Sequence, residues 1–492
     1  MTPFPLSVRD AFTRLPGEAH HTATTPPNWA ATFTPQGHQG ALDPARTIVI
    51  GDRGTGKSFW SSVLVDDEMR TRVARQYPAL GLDRVVSALG FSGDQFTERH
   101  PTAGIIGRVA RAEDRTEALW RAVLLKRSPF PPAALKAVGD DWEQATGWVA
   151  ADPALRNAEF RDLDATLARE GLVYVLVFDA LDLIAERWSD IRSRMRGLIR
   201  VAVAVRSLRF VRMKLFLRPD MAEDQAMWAV GDASKLRHNE VPLRWRRRDL
   251  YGLLWTLLAN AEHGGEAFRE HCQRLPGARF ALQDGSWRPG RELTEEEGLQ
   301  EEIFHALAGQ WMGRDRRRGN TFTWVPNHLA DAVGSAAPRS FLLAMQDAAD
   351  DAKSTEFVLD RAGIEEGVRK ASRVRVRDEL AEDYRWMPTV LNALQGLTVP
   401  IDPDQLIARW RERGTLGALR SLVDQEGQDQ RFIPPGRVLE EATDETNAYQ
   451  NLITTMTDLR IFFELTDGRI NMPDLFRLEA RIKRRGGIRP LA

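Results

Sequence analysis

A glycine-rich segment, GDRGTGKS at residues 51–58, constrains the fold of this chain more than any other feature. It follows the apolar run Arg46–Ile50, which has the composition of a β-strand, and it precedes a stretch with helical periodicity. A loop in that context lets backbone amides converge on phosphate oxygens at the positive end of the helix. The sequence therefore predicts a phosphate-binding loop on an α/β fold.

Each part of this loop has a predicted task. The glycines permit the backbone conformations that aim amides at a phosphate, Lys57 is expected to reach the β- and γ-phosphates, and Ser58 is expected to bind Mg²⁺. The predicted ligands are therefore ATP and Mg²⁺. We expect the nucleotide-binding residues to be Gly51, Asp52, Arg53, Gly54, Thr55, Gly56, Lys57, Ser58 and Phe59.

A second apolar run, Leu172–Phe178, ends at Asp179. A continuous run rich in branched residues predicts a strand buried on both faces, and ligands of open parallel sheets bind at the carboxyl ends of the strands. Asp179 is thus the predicted carboxylate of the magnesium site. The next residue is Ala180, where many hydrolysing enzymes of this kind have glutamate. Asp182 either activates the attacking water or caps the next helix.

Three further strands complete the predicted parallel sheet. The run Val211–Leu217 is followed by Arg218-Pro219-Asp220. Either Arg218 or Asp220 senses the γ-phosphate, or the three residues only form a turn. The remaining candidates are residues 240–243 and, more weakly, residues 85–89.

Composition excludes several classes of protein. The 492 residues carry 68 Lys+Arg and 69 Asp+Glu, so no chain-wide charge draws the protein to nucleic acid or to an anionic membrane. One cysteine, Cys272, excludes an internal disulfide framework. We see no signal-peptide core and no apolar run of about 18 residues. We therefore expect a cytoplasmic protein without a membrane segment.

Four segments make residues 46–350 resemble the additional-strand P-loop ATPases of the AAA+ and STAND classes: GDRGTGKS, VYVLVFDALD, KLFLRPD and GSAAPRSFLLAM. In the last segment, Gly334 and Pro338-Arg339 resemble the Gly-x-x-Pro-Arg start of a lid helix, with one extra residue. The resemblance implies that Arg339 contacts the γ-phosphate; the alternative is an arginine on the helix surface. It also implies a homo-oligomer or a protein partner, of the kind encoded in bacterial defence or mobile-element systems.

The C-terminal part is predicted to be a winged helix. Helices are indicated at 387–397, 402–413 and 448–459, followed by a hairpin at 460–472 whose Asp467-Gly468 pair predicts a turn with positive φ at both residues. The expected domains are 1–260 (ATPase core with N-terminal segment), 261–375 (helical lid with an insertion) and 376–492 (winged helix with a basic tail). Basic residues at 477–489 either bind DNA or only keep the terminus soluble.

Three functions fit these patterns. The first is an ATPase whose nucleotide state switches a partner or an oligomer. The second is a DNA-acting motor or loader that grips DNA through the winged helix and the tail. The third, suggested by Ala180, is a nucleotide-binding scaffold without useful catalysis.

Overall fold

A five-stranded sheet organises the first half of the chain in the computed structural model, which describes residues 4, 6–17, 22–426, 436–439 and 442–485. All neighbouring strands are parallel, and their order is β5-β1-β4-β3-β2. The strands are β1 (Ile48–Ile50), β2 (Val85–Phe91), β3 (Val173–Phe178), β4 (Val211–Leu217) and β5 (Val241–Pro242). The predicted α/β fold is confirmed, including the weakest strand candidate, which extends to Phe91.

The strand order separates the glycine-rich loop from the acidic strand. β4 lies between β1 and β3, with Ile50 opposite Leu217 and Phe178 opposite Leu215. The sheet therefore contains the additional strand that the resemblance implied. Since all five strands are parallel, their carboxyl ends meet at one edge, where ligands of such sheets bind.

Helices cover both faces of this sheet. Residues of β3 and β4 alternate between two apolar clusters, with Tyr174 and Leu176 in one and Val175 and Val177 in the other. That is why β3 is apolar throughout rather than alternating. The α-helices in this half are Arg9–Thr13, Gln39–Leu42, Lys57–Val65, Asp67–Gln76, Ala103–Val109, Glu113–Arg127, Ala133–Ala137, Trp142–Ala151, Pro153–Glu170, Trp188–Val205, Pro219–Glu223 and Ser234–Arg237.

The second half is mainly helical and shares one apolar cluster. This cluster includes Trp255, Phe341 and Trp410, and also Phe12 from the N-terminal segment. A small hairpin of β6 (Phe280–Gln283) and β7 (Ser286–Pro289) interrupts the helices. The helices are Arg247–Ala259, Gly265–Cys272, Arg291–Glu295, Glu297–Ala308, Thr321–Leu329, Pro338–Asp350 and Arg361–Arg373, which continues as a π-helix at Val374–Leu380 and a short helix at Ala381–Asp383.

The C-terminal part has the predicted helices followed by a wing. The hairpin pairs β9 (Phe463–Glu464) with β10 (Ile470–Asn471), and β8 (Thr398–Val399) pairs with β11 (Lys483–Arg484). The helices are Met387–Ala393, Pro403–Glu412, Thr415–Glu426, Gly436–Leu439, Glu445–Asp458 and Asp474–Arg477.

The turn of the wing differs from the prediction. Gly468 has φ 82°, whereas Asp467 is not among the residues with positive φ. The loop is longer than a two-residue turn, because the amide of Leu465 donates to the carbonyl of Arg469 at 2.8 Å. The Asp467 carboxylate instead accepts from the Arg469 amide at 3.1 Å.

The basic tail is only partly a surface feature. Arg477 is fully buried and its guanidinium pairs with Asp474, so the expectation that it contacts DNA is wrong. Arg481, Lys483 and Arg485 are exposed, and residues 486–492, including Arg489, lie outside the described part of the chain. Within the described ranges, no helix is long and apolar enough to cross a membrane.

Candidate functional site

The glycine-rich loop forms a cradle between β1 and the helix Lys57–Val65. Gly54 and Gly56 have φ values of 77° and 97°, a region that favours glycine. A Cβ on Gly51 would lie only 2.5 Å from the Thr55 hydroxyl oxygen. Side chains at these positions would distort the loop, so its backbone requires glycine here. The predicted binding of phosphate by these glycines stays a prediction.

Lys57 lies inside this cradle. Its ammonium donates to the carbonyl oxygens of Gly51 at 2.7 Å and Asp52 at 3.0 Å. Burial lowers the pKa of Lys57, and nearby carboxylates, that of Asp179 foremost, offset part of the drop. A cation held at the mouth of a loop of backbone amides suits a bound phosphate.

Asp179 faces Lys57 from the end of β3. Its amide donates to the Phe91 carbonyl at 3.0 Å, which fixes the strand end. The residue is 1% exposed, and neither carboxylate oxygen has a hydrogen bond of standard geometry. Burial raises the pKa of Asp179, and the Ser58 hydroxyl and the Lys57 ammonium offset part of the rise.

An orphaned carboxylate of this kind fits a metal ion. Buried charges in proteins are normally paired or bound to a metal, and Mg²⁺ prefers oxygen ligands such as a carboxylate and a hydroxyl. Asp179 and Ser58 are therefore the residues that would hold Mg²⁺, which would neutralise phosphate charge when bound.

Asp182 and Arg218 lie together beside this carboxylate. Asp182 belongs to a 3₁₀ turn, Leu181–Leu183, that follows Ala180 in a left-handed conformation with φ 52°. The Arg218 guanidinium approaches Asp182 at 3.3 Å and Asp220 at 3.0 Å. Residues 218–220 do not form a simple turn, because Pro219 begins a short helix after Arg218.

Arg339 reaches the cradle from the lid helix Pro338–Asp350. A Cβ on Gly54 would lie 3.2 Å from the Arg339 Cβ, so the helix start packs directly on the loop. Gly334 has φ 76°, which suits the turn that leads into this helix. Arg339 lies at the start of this helix, whether it contacts the γ-phosphate or only covers the helix surface. The structure places that helix start against the phosphate loop.

Most of the predicted site residues border one cavity of about 800 Å³, whereas Gly51, Asp52 and Thr55 are not part of its lining. Sequence reasoning missed the N-terminal segment that forms one side of it. No periodic signal marks this segment. The predicted residues that line the cavity are Arg53, Gly54, Gly56, Lys57, Ser58, Phe59, Asp179, Asp182, Arg218 and Arg339; the additional ones include Asn28, Ala31, Phe33, Leu253, Leu257 and Leu342.

Aromatic side chains support the cradle, and the sequence patterns do not indicate them. The Trp245 indole donates to the Thr55 carbonyl at 2.8 Å. The Trp60 indole donates to His38 at 3.1 Å, and burial lowers the pKa of His38 to about 4. His38 is therefore neutral near pH 7 and serves as a hydrogen-bond acceptor for Trp60.

Three contacts tie residues 375–460 to the phosphate loop, and we call them the clamp. Arg460 pairs with Asp52 at 2.6 Å, Glu382 pairs with Arg53 at 2.7 Å, and Arg375 donates to the Arg53 carbonyl at 3.2 Å. The partners are 322 to 408 residues apart in the chain. No local pattern could have predicted them.

A fourth contact joins Arg218 to the same part of the chain. The Tyr384 hydroxyl donates to Asp220 at 2.7 Å and accepts from Arg218, whose guanidinium lies 5.1 Å from the tyrosine ring centre. Arg218 therefore contacts both the lining of the cavity and Tyr384, which follows the lid in the chain.

No protein-family model and no curated protein matches this sequence. The solved structures that are similar over most of the chain include the following three. The first is ORC2 of Aeropyrum pernix in ADPNP–ADP complexes, with 13% identity, coverage of 88% of this chain and 85% of that one, and a TM-score of 0.30. The second is ORC1 of A. pernix in complex with DNA, with 15% identity, coverage of 92% of this chain and 93% of that one, and a TM-score of 0.34. The third is Cdc6p of Pyrobaculum aerophilum, with 14% identity, coverage of 89% of this chain and 86% of that one, and a TM-score of 0.26. At these scores the function has to be argued from the site itself.

Proposed function

We propose that this protein binds and hydrolyses ATP with Mg²⁺, and that the nucleotide controls the position of its C-terminal winged helix. The cradle of backbone amides, the buried Lys57 and the orphaned Asp179 support the nucleotide part. These three features surround one cavity at the carboxyl edge of a parallel sheet.

The clamp supports the second part of the proposal, the control of the winged helix by the nucleotide. Its ion pairs involve Asp52 and Arg53, two side chains of the phosphate loop, rather than residues at some distance from it. A polyphosphate in the cradle would attract Arg53 and Arg460 and repel Asp52 and Glu382. Since a ligand shifts an equilibrium only through different affinities for its two states, this competition is a physical means of coupling.

Arg218 offers a second route for the same coupling. Its guanidinium contacts Asp182 on the cavity side, and Asp220 and Tyr384 on the other. A γ-phosphate that drew Arg218 toward the cavity would weaken its contact with Tyr384. We infer that Arg218 senses the nucleotide state and that Arg339 does so from the lid.

Hydrolysis in this site depends on Asp182. Ala180 cannot act as a base, and Asp182 is one of the carboxylates that line the cavity and lies three residues after Asp179. The Arg218 guanidinium lies 3.3 Å from Asp182, and this contact competes with the hydrogen bond that a general base makes to the attacking water. We therefore propose slow turnover, which suits a switch better than a motor.

A winged helix that grips DNA is less well supported as the second function. The helix that precedes the wing, Glu445–Asp458, contains no lysine or arginine. The wing's Arg469 pairs with Asp467 at 2.6 Å, and its Arg460 belongs to the clamp. Protein–DNA affinity depends largely on cations beside phosphates, so this surface suits a protein partner or the ATPase core.

The other expectations stay proposals. These are the domain limits 1–260, 261–375 and 376–492, assembly into a homo-oligomer or with a protein partner, membership of the AAA+ or STAND class, and a role in defence or on a mobile element.

Nucleotide binding and turnover test the first part directly. We expect wild-type protein to bind a fluorescent ATP analogue and to release phosphate slowly in Mg²⁺, and Lys57→Ala to do neither. Lys136→Ala, at an exposed lysine outside the cavity, should match wild type. Binding without turnover above the Lys57→Ala background would support the scaffold instead.

Hydrogen exchange tests the switch. With Mg²⁺ and ATP, we expect faster exchange in residues 375–384 and 455–465 of wild type and no change in Lys57→Ala. Unchanged exchange in both segments of an ATP-saturated wild type would overturn the switch while leaving nucleotide binding intact.

A further inference from the structure

A loop at residues 313–319 presents an unusual concentration of positive charge. Arg314, Arg316, Arg317 and Arg318 are all exposed, and Asp315 is the one acidic residue among them. The loop lies between the helices Glu297–Ala308 and Thr321–Leu329, outside the nucleotide cavity.

The arginines have no ion-pair partner among the described residues, unlike many other arginines of the chain such as Arg196, which pairs with Glu113 at 2.8 Å. The Asp315 carboxylate instead accepts from the backbone amide of Arg317 at 2.9 Å. Four guanidiniums therefore face solvent with their charge uncompensated by a contact.

The loop is fixed by its own backbone. The Met312 amide donates to the Gly319 carbonyl at 2.9 Å, and Trp311 and Asn320 form a bridge below it. Met312 is buried and anchors the base. Arg316–Arg318 forms a 3₁₀ turn, so the arginines project from a preformed backbone and lose less entropy when they bind.

Glycines at both ends of the loop are required by its geometry. A Cβ on Gly313 would lie 2.5 Å from the Cγ of Arg318, whose aliphatic part covers this glycine. Gly319 has φ 99°. The stem of Arg318 therefore packs on Gly313, and the residue remains exposed.

We propose that this arginine loop binds the phosphate backbone of double-stranded nucleic acid. Arginine suits this role because its planar fork makes paired hydrogen bonds to phosphate oxygens. A protein partner would need an apolar anchor, and no exposed large hydrophobic residue of the described chain lies within the loop. The proposal does not depend on ATP hydrolysis and does not use the winged helix.

The expected affinity follows from the number of phosphates contacted. Each one contributes about −0.9 to the slope of log K against log salt, so four contacts give a slope of about −3.6. Raising the salt from about 50 to 200 mM should then weaken binding about 150-fold through this loop. Contacts of this kind read no base sequence.

Fluorescence anisotropy with a labelled DNA duplex of mixed sequence, about three helical turns long, tests the proposal. The test variant replaces Arg314, Arg316, Arg317 and Arg318 with glutamine, which keeps the stem of Arg318 on Gly313. The control variant makes the same charge change at four exposed arginines outside the loop, Arg99, Arg111, Arg161 and Arg206.

We expect the loop variant to lose the salt-dependent part of DNA binding, with a slope shallower by about 3.6, while the control keeps the wild-type slope. Thermal unfolding of both variants at the wild-type temperature shows that the fold is intact. Equal losses in the two variants would reduce the effect to net charge and overturn the proposal. So would a wild type that binds phosphatidylserine vesicles and not the duplex.

Discussion

Replacing Arg460 with alanine perturbs the contact that most directly couples the winged helix to the phosphate loop. The two charged atoms of the Arg460–Asp52 pair are 2.6 Å apart, and their side chains are 22% and 20% exposed. Exposed pairs contribute about 0.2–1 kcal/mol, and breaking a buried pair costs about 3–5 kcal/mol. For this half-buried pair we expect a coupling free energy of about 1 kcal/mol, nearer the exposed limit.

A double-mutant cycle on ATP affinity measures whether nucleotide breaks this pair. Dissociation constants are needed for wild type, Asp52→Ala, Arg460→Ala and the double variant. If ATP releases the pair, each single variant has already lost the contact that wild type must break. The double variant should then bind about 5-fold more weakly than the sum of the single effects predicts, which corresponds to about 1 kcal/mol.

A second ion pair serves as the control for this cycle. Arg409 and Glu412 lie 3.1 Å apart within the helix Pro403–Glu412, away from the cradle. Their cycle on ATP affinity should be additive. Additivity within about 0.5 kcal/mol at Asp52 and Arg460 as well would refute coupling through the clamp.

Three other substitutions have definite expected outcomes. Asp179→Asn should reduce Mg²⁺-dependent turnover by at least about 100-fold, since even outer-shell partners of a metal contribute 10- to 100-fold. The variant should also have a higher free energy of unfolding than wild type at pH values above the usual pKa of aspartate. Burial raises the pKa of Asp179, so the wild-type fold loses stability as pH rises from the usual pKa to the raised one. A denaturation series against pH would contradict this if the variant were never the more stable. Gly54→Ala should lower the free energy of unfolding by about 1–3 kcal/mol and abolish ATP binding, because Gly54 combines φ 77° with a 3.2 Å contact from the added Cβ to Arg339. Gly81 has φ 59° and open space around it, so Gly81→Ala should cost less and leave ATP binding unchanged. Lys214, buried in β4, has its pKa lowered to about 7 by burial, so the unfolded state binds the extra proton and stability rises between about pH 7 and the usual pKa of lysine. Lys214→Met should remove that rise, and a variant with the wild-type pH dependence would refute the assignment.

The sequence predicts the sheet well because each strand is encoded locally. The apolar runs that end at Ile50 and Phe178 are typical of a sheet covered on both faces, and the structure has them there. The glycines of the phosphate loop are equally local, since φ values of 77° and 97° require residues without a side chain.

The sequence does not predict the contacts that support the proposed switch. Asp52 and Arg460 are separated by 408 residues, and the charges of both are ordinary for surface residues. The Asp467-Gly468 pair predicts the hairpin of the wing. It does not predict the longer loop, in which Arg469 pairs with Asp467. Arg477 was expected on the surface, and it is buried because Asp474 compensates its charge in the interior.

A crystal structure with Mg²⁺ and a non-hydrolysable ATP analogue tests the central claim most directly. We predict that the terminal phosphates lie on the amides of the loop and on the Lys57 ammonium. The metal ion should bind the Ser58 hydroxyl at about 2.0–2.1 Å and face the carboxylate of Asp179. A nucleotide bound elsewhere, or an Asp179 that stays without a partner beside a fully occupied cradle, would contradict the account.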